Sequence, residues 1–581
     1  MPELLRAVNA VESKVALVAY TKEPFGIAVA SARTCYAEDF VFVGQLTPKG
    51  ERTRNTLLQA FPAYEKELAE LGAAKTTAER RMELVAQLEP VAPSDDARDA
   101  LSVFADLARQ RAPNDARIAQ SIYEAGHHTP FQHPTFVFSL DNVSRNVVES
   151  FFHQHMFFNS EQQSQRYVEM GEADVYVPES IRSNPAALEV YQGAVSDAWD
   201  SYHHLRDALV DVNLKVMTAI GKIKGQTEKA IRVEAEKKSQ EMARYVIPIA
   251  AATRMYHTIS GIVLLRYVRM AGAQNASEEA RAVVSKMMAE VAEIDPDFAN
   301  QIQETAHEEG AFPEWKLLEH GEPEHPIELG HEHSLLLHAT PDAADLVTQV
   351  IREVTGSNMP QDQLLDAVLS PAQNRIWNDT LNTWDHSPVL RSLRHVHYTF
   401  HKRLSLSAVA QDQRHRLTPG TRPLLQRLLG AVPDVYVPDV LQGEQAERYH
   451  ATMDGLWAAM HKLRDLGIPD RDVTYLLPNA TNQYFTQSGD LLSFIHKWRL
   501  RLCFNAQKEI FDASLDELRQ VQAVHPELTR FLGPPCTFVA ARQPAHLQDD
   551  VEACCPEGPR WCGVKVWKNF DAAKGKPKRP Y

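Results

Sequence analysis

Val15-Ala16-Leu17-Val18-Ala19-Tyr20 is an unbroken, β-prone apolar run, and the small, helix-compatible stretch Ile27 to Cys35 follows it. Together they predict a strand and then a helix over residues 13–36. The same order returns late in the chain, where Ser334–Pro341 predicts a strand and Ala343–Val354 a helix. A second matching pair follows. Thr135-Phe136-Val137-Phe138-Ser139-Leu140 alternates as a strand after a histidine-rich turn, and His395-Val396-His397-Tyr398-Thr399-Phe400 does the same after His386-Ser387-Pro388. A third pair, Ala243–Pro248 and Val473–Pro478, leads in each case into a long predicted helix.

These pairs make the chain a tandem of two related modules. Gln154-His155-Met156 and Arg414-His415-Arg416 stand 260 residues apart, and so do Asp174-Val175-Tyr176-Val177-Pro178 and Asp434-Val435-Tyr436-Val437-Pro438. Pro248 and Pro478 stand 230 apart, so the first module carries about thirty additional residues. Lys222–Glu241, rich in Lys, Glu and Ala, reads as that excess and as a solvated helical excursion. Residues 63–110 are rich in Glu, Ala, Leu and Arg, with a break near Pro93 that caps a new helix. The expected layout is a first module over 1–309 with a helical insertion at about 44–118. A linker at 310–332, a second module over 333–530 and a Cys-bearing extension over 531–581 follow.

Composition narrows the classes. The chain has 581 residues, too many for one core, with 44% hydrophobic and 24% charged residues, as expected of a globular protein. A net charge of −15 argues against a nucleic-acid partner, which calls for a basic surplus. No apolar run approaches membrane length and no basic start precedes an apolar stretch, so the expectation is a cytoplasmic protein with no membrane partner. Six cysteines do not make a disulfide scaffold. Four of them, Cys536, Cys554, Cys555 and Cys562, crowd the tail and are a candidate structural zinc set, whereas no histidine pair carries ligand spacing for a catalytic metal. Lys574–Arg579, with terminal Tyr581, is expected to be disordered.

The repeated segment carries the candidate chemistry. Gln411 and Arg414 lie three apart, on one face of a helical segment, and Arg414-His415-Arg416 clusters cationic donors suited to an oxyanion. The first copy has lost that triplet but holds Ser164-Gln165-Arg166-Tyr167, a hydroxyl and a guanidinium able to hold one phosphate from a turn. For either motif alone, a solvated charged surface is the competing reading.

The order of these segments resembles the flavin-dependent thymidylate synthases: His-x-x-Pro-Phe-x-His before a Phe-rich strand, Gln-x-x-Arg-His-Arg, Ser-x-Arg-Tyr, then Val-Tyr-x-Pro. The resemblance implies an α+β, helix-rich fold of two tandem copies, each with helices packed on an antiparallel sheet. It implies reductive methylation of dUMP to dTMP, with methylenetetrahydrofolate as carbon donor and FAD reduced by NADPH. It casts Arg501 as the catalytic arginine at the uracil ring. Ser164, Arg166, Arg244, Gln411 and Arg414 would bind substrate, and Arg414, His415 and Arg416 would bind cofactor. Asp490 and Asn505 occupy the positions of the family's flavin-contacting asparagine and histidine. No cysteine nucleophile is required, and Cys503 reads as a packing residue.

The departures are complementary. The first copy has Gln154 and Met156 for the arginines of the triplet and Ala271 for Arg501. The second has Leu424-Leu425-Gln426 for Ser-x-Arg and Thr474 for Arg244. The tandem is expected to form an internal pseudo-dimer, with further homodimerisation left open. Simple complementation would put Ser164 and Arg166 with Arg501 in one site, and Arg414–Arg416 with Arg244 in another. The alternative function is a catalytically silent or repurposed flavin- or nucleotide-binding scaffold.

Overall fold

The computed structural model describes residues 8–35, 48–72, 78–273, 276–302, 305–318, 327–572 and 579. Each copy is built on a four-stranded antiparallel sheet. In the first, β1 (Lys14–Tyr20), β2 (Thr135–Ser144), β3 (Asn159–Gln162) and β4 (Ala252–Ser260) lie in the order β1-β2-β4-β3. In the second, β5 (Ser334–Ala339), β6 (His397–Ser405), β7 (Gly420–Thr421) and β8 (Asn482–Asp490) lie in the order β5-β6-β8-β7. The identical order makes the duplication structural. After each first strand comes the expected helix, α1 (Pro24–Thr34) or its counterpart Ala343–Thr355.

The two copies dock about a pseudo-two-fold axis through Pro248 and Pro478, which face each other in an antiparallel bridge. The backbone hydrogen bonds around it are reciprocal. Ile249 N donates to Leu477 O and Asn479 N to Ile247 O, both at 2.9 Å; Ala250 N donates to Tyr475 O and Ala480 N to Tyr245 O, again at 2.9 Å. Flanking the bridge, α2 (Pro185–Ile223) packs on its counterpart α3 (Glu444–Asp465). Trp199, Tyr202, Leu205, Tyr449, Met453 and Trp457 form a core shared by both copies. Burying this much apolar surface between domains makes the interface a fixed one.

Two local irregularities distinguish the first copy. Its β2 carries a bulge at Asn142, whose φ of 56° is the left-handed region that asparagine tolerates. One turn later, Val148–Phe152 is a π-helix, which takes up one further residue. These two insertions bring the separation between equivalent residues from 262 at Thr135 and His397 to 260 at Gln154 and Arg414.

Helices Pro48–Ala60, Glu65–Gly72, Ala78–Leu88 and Asp95–Glu124 carry a small core of their own around Leu57, Leu88, Leu101 and Phe104. Ser94 caps the last of them, its hydroxyl accepting from Ala97 N at 3.2 Å. The segment 222–241 departs from expectation. It forms a hairpin, Ile231 and Ala235 returning against Met217 and Ile220, and it ends in a buried glutamate, Glu241. The expected disordered tail lies outside the described residues except for Arg579, which donates to the carbonyls of Phe504 and Ala506.

Candidate active site

The Arg414-His415-Arg416 triplet lies in the turn leaving the helix Leu406–Asp412. His415 N donates to Asp412 O at 3.0 Å and Thr418 N donates to His415 O at 3.0 Å, which closes the turn. Both arginines reach into the first copy. Arg414 Nη2 donates to Ser160 O at 3.0 Å and to the Glu161 carboxylate at 3.1 Å. Arg416 donates to the carbonyls of Met156 and Phe158 and to Asn159 Oδ1, with its guanidinium over the Phe158 ring.

Arg501, at the end of the helix Leu491–Arg501, donates through Nε to His415 Nε2 at 2.8 Å and through Nη2 to Gln411 O at 2.9 Å. Accepting at Nε2 puts the hydrogen of the neutral His415 ring on Nδ1. Burial pushes Arg501 down to about 10, with Arg166 and Arg414 close enough to reinforce the shift. Burial also lowers His415, and Arg501 lowers it further, so the imidazole is neutral.

The first copy completes the cluster. Ser164 and Arg166 sit in a turn in which Ser164 Oγ accepts from Arg166 N at 3.2 Å. Arg166 pairs with Glu241 at 2.5 Å and donates through Nη2 to Asn505 O of the second copy at 2.9 Å. Arg244 donates through Nη2 to Gln507 Oε1 at 2.6 Å, and the Gln411 amide donates to the same oxygen. Burial alone would raise the Glu241 carboxyl, but Lys238, Arg166 and Arg244 around it pull it down to about 2.

A continuous set of contacts therefore joins Arg166 and Arg244 of the first copy to Gln411, Arg414, His415, Arg416 and Arg501 of the second. The division into two half-sites that simple complementation implies is not what the docked copies form. The reciprocal pairing at Pro248 and Pro478 carries Arg244 across to the helix after Arg501, where Gln507 receives it.

The two positions matched to flavin contacts behave differently. Asp490 caps the helix Leu491–Arg501 through Ser493 N at 2.9 Å and binds Arg394 at 2.9 Å. Asn505 donates its side chain to Arg560 O of the C-terminal extension at 2.7 Å, while its carbonyl holds Arg166. Beside the triplet lies a cavity of about 330 Å³ lined by Trp384, Arg394, Arg414, His415, Arg416 and His496, among others. Its basic and aromatic lining fits a planar ring with a nearby anionic group. Its volume, at the lower end of small-molecule pockets (about 300–1,000 Å³), takes one ring system rather than a whole dinucleotide.

Beneath the site is a fully buried ionic group. Lys402 and Lys497 both contact Asp412 (2.8 and 2.9 Å) and Glu517 (2.7 and 3.1 Å). Gln487 bridges them, accepting from both lysines and donating to Asp412 at 2.7 Å. The equivalent residues of the first copy are Leu140, Phe152, Tyr267, Met287 and His257. One copy thus builds by charge pairing what the other builds from an aromatic and apolar core.

The model of the family described as "Thymidylate synthase complementing protein" matches this chain twice, over residues 16–297 and 335–527. The chain belongs to this family. Among its relatives, a flavin-dependent thymidylate synthase of Clostridium tetani is 28% identical over 172 residues, covering 30% of this chain and 64% of that enzyme. The chain thus spans under two thirds of that relative. The Mycolicibacterium gilvum enzyme of the same name is 25% identical over 245 residues, covering 40% of this chain and 92% of its own. Among solved structures, the UMP/dUMP methylase PolB of Streptomyces cacaoi, bound to 5-bromo-dUMP, aligns over 51% of this chain and 97% of its own. Its TM-score is 0.29 and its identity 14%. Thymidylate Synthase X of Helicobacter pylori with FAD and dUMP aligns over 34% and 96%, with a TM-score of 0.27 and 18% identity. The α+β tandem assignment stands on the two-segment family match and the repeated sheet order.

Three site residues have no counterpart in the sequence reading. Glu241 hid in a run of Lys, Glu and Ala that reads as solvated helix. Glu149 and Gln413 form a buried contact across the copies that only docking creates. Among the described residues the candidate quartet of tail cysteines is not assembled. Cys554 donates to Leu547 O at 3.5 Å, all six cysteines are free thiols, and among the described residues no three His, Cys, Asp or Glu side chains gather to hold a metal. Burial pushes the Cys503 thiol up to about 12, consistent with a packing residue and not a nucleophile. Among the described residues, no helix is long and apolar enough to cross a membrane.

Proposed function

We propose that the chain is a flavin-dependent thymidylate synthase acting through one composite site: reductive methylation of dUMP to dTMP, with methylenetetrahydrofolate, FAD and NADPH. The observation that carries this reading is the convergence of Arg166, Arg244, Gln411 and Arg501 from complementary copies on a single neighbourhood. Arg166 and Arg244, with Ser164 shaping the turn, would hold the nucleotide phosphate. Arg501, pre-oriented by His415 and the Gln411 carbonyl, would face the pyrimidine ring and stabilise charge that builds on it. With only its flavin ring in the cavity beside Arg414, His415 and Arg416, FAD would supply the hydride, leaving the protein to orient and to balance charge. Asp490 would act by fixing Arg394 at the cavity rim, and Asn505 by holding Arg166 through its carbonyl.

One observation favours a second reading, a silent or repurposed nucleotide-binding homologue. Arg166 is already paired with buried Glu241, and Arg416 already donates to two backbone carbonyls and to Asn159. Rescue of a thymidine-requiring host, together with flavin absorbance of the purified protein, decides between them. The synthase reading predicts both, and rescue lost in Arg501→Ala. Flavin bands without rescue would favour the repurposed homologue.

A further inference from the structure

The loop Phe504–Gln507, which follows the helix Leu491–Arg501, takes arginines from three parts of the chain. Arg166 Nη2 donates to Asn505 O at 2.9 Å, and Arg244 Nη2 donates to Gln507 Oε1 at 2.6 Å. Arg579 of the C-terminal extension donates through Nη2 to Phe504 O at 2.9 Å and to Ala506 O at 2.8 Å. Its guanidinium also lies over the Phe511 ring, 4.7 Å from the centroid. A planar fork held by two carbonyls and an aromatic face is a fixed group. It grips the residues on either side of the carbonyl that receives Arg166.

The same end of the site carries more positive charge than its own carboxylate balances. Glu241 pairs with Arg166 at 2.5 Å and lies 3.6 Å from the Lys238 ammonium, one turn earlier in the helix Glu228–Ala243. The Arg244 charge acts on Glu241 as well. Lys238 is lowered first by burial, and the Arg166 and Arg579 charges lower it further against the pull of Glu241. Four cations are therefore gathered with one carboxylate among them. Glu509, a carboxylate that Arg244 also feels, is engaged by Ser405 and Tyr245 and raised by its burial, so it offers little charge. Like charges in a poorly solvated pocket repel, and an anion brought among them is held more strongly the more charge it carries. A phosphate monoester brings about two negative charges, and esterifying it once more leaves a single one.

We propose that Arg579 is a positioning residue of the composite site and that, with Lys238, it makes the phosphate end select a dianionic phosphate monoester over a singly charged phosphodiester. Arg579 acts through the loop: by holding Phe504 O and Ala506 O it keeps Asn505 O turned to Arg166. Lys238 shares Glu241 with Arg166, so the carboxylate does not cancel the arginine's charge toward a ligand. This role presupposes that the composite site holds a nucleotide.

The test compares calorimetric binding of dUMP with that of its phosphate methyl ester, which keeps the nucleoside but loses one charge. Both ligands are titrated into the full chain as wild type, Arg579→Ala and Lys238→Met. Wild type is predicted to prefer dUMP by about tenfold or more. Each variant is predicted to bind dUMP more weakly and to reduce that preference to about threefold or less. A steric penalty on the methyl group or a general loosening of the fold would leave the ratio of the two affinities unchanged. Thermal melts establish that each variant is folded. A preference that survives in either folded variant overturns the proposal, as does a wild type that binds the two ligands equally. A wild type that binds neither ligand refutes the composite-site reading and this role with it, so the two failures are distinguishable.

Discussion

The Tyr245 hydroxyl of the first copy donates to the Glu509 carboxylate of the second at 2.9 Å, and Tyr475 of the second donates to Glu279 of the first at the same distance. Each glutamate also accepts the backbone N–H and hydroxyl of the serine that caps the following helix, Ser405 for Glu509 and Ser144 for Glu279. The interface and the helices bearing the site are thus locked by one repeated device. Only at Tyr245 does it extend to the composite site, because the Gln507 amide also donates to that hydroxyl.

This asymmetry separates stability from binding. Tyr245→Phe and Tyr475→Phe each leave a buried carboxylate short of one donor, at a cost of about 1–3 kcal/mol in denaturant unfolding. Similar losses are expected for the two variants. Only Tyr245→Phe is expected to weaken nucleotide binding as well, since Gln507 positions Arg244 and Gln411. Equal effects on binding would contradict the assignment of Gln507 to the site.

The buried ionic group makes a different prediction. Removing one member, as in Lys497→Met, leaves unpaired charge in the core and is expected to cost about 3–5 kcal/mol. Replacing the group together with the first copy's residues, as Lys402→Leu, Asp412→Phe, Lys497→Tyr and Glu517→Met, is expected to cost far less than the sum of the single changes. Chemical denaturation of the five variants checks this, and strict additivity would mean the charges do not act as a unit.

In the first copy, His153, Ser160, His257, Tyr267 and His155 form one hydrogen-bonded chain. Burial pushes His257 down to about 3 and His155 to about 4, from an ordinary 6.5. Folded-state values below the unfolded value mean that the unfolded chain binds protons first as pH falls. Stability is therefore complete above pH 6.5 and lost progressively as pH falls, down to about 4 for His155 and about 3 for His257. His257→Gln, which installs the residue found at the equivalent position 487, is expected to flatten this acid limb in thermal melts across that range. An unchanged slope would remove His257 from the cause.

Much of the fold is legible in the sequence because strands, caps and turns repeat in the same order. Ser94, Pro248 and Pro478 mark real boundaries through local chemistry alone. The site is legible only as two halves. Whether Arg166 meets Arg501 depends on the docking of β-bridged prolines and long helices, a tertiary fact with no local signature. Lys402, Lys497, Asp412 and Glu517 look in sequence like surface charges, and only the packing of three helices against the strand that bears Lys402 brings them together. Glu241 was hidden for the same reason, since a polar helix gives no sign of the one face it buries.

The central claim is that two diverged copies build one composite nucleotide site. Its most direct test is the calorimetric stoichiometry of dUMP binding to the full chain, measured for the wild type, Arg166→Ala in the first copy and Arg501→Ala in the second. The account predicts one dUMP per chain and at least tenfold weaker binding in either variant. Two dUMP per chain, with each substitution deleting one site and sparing the other, would contradict it.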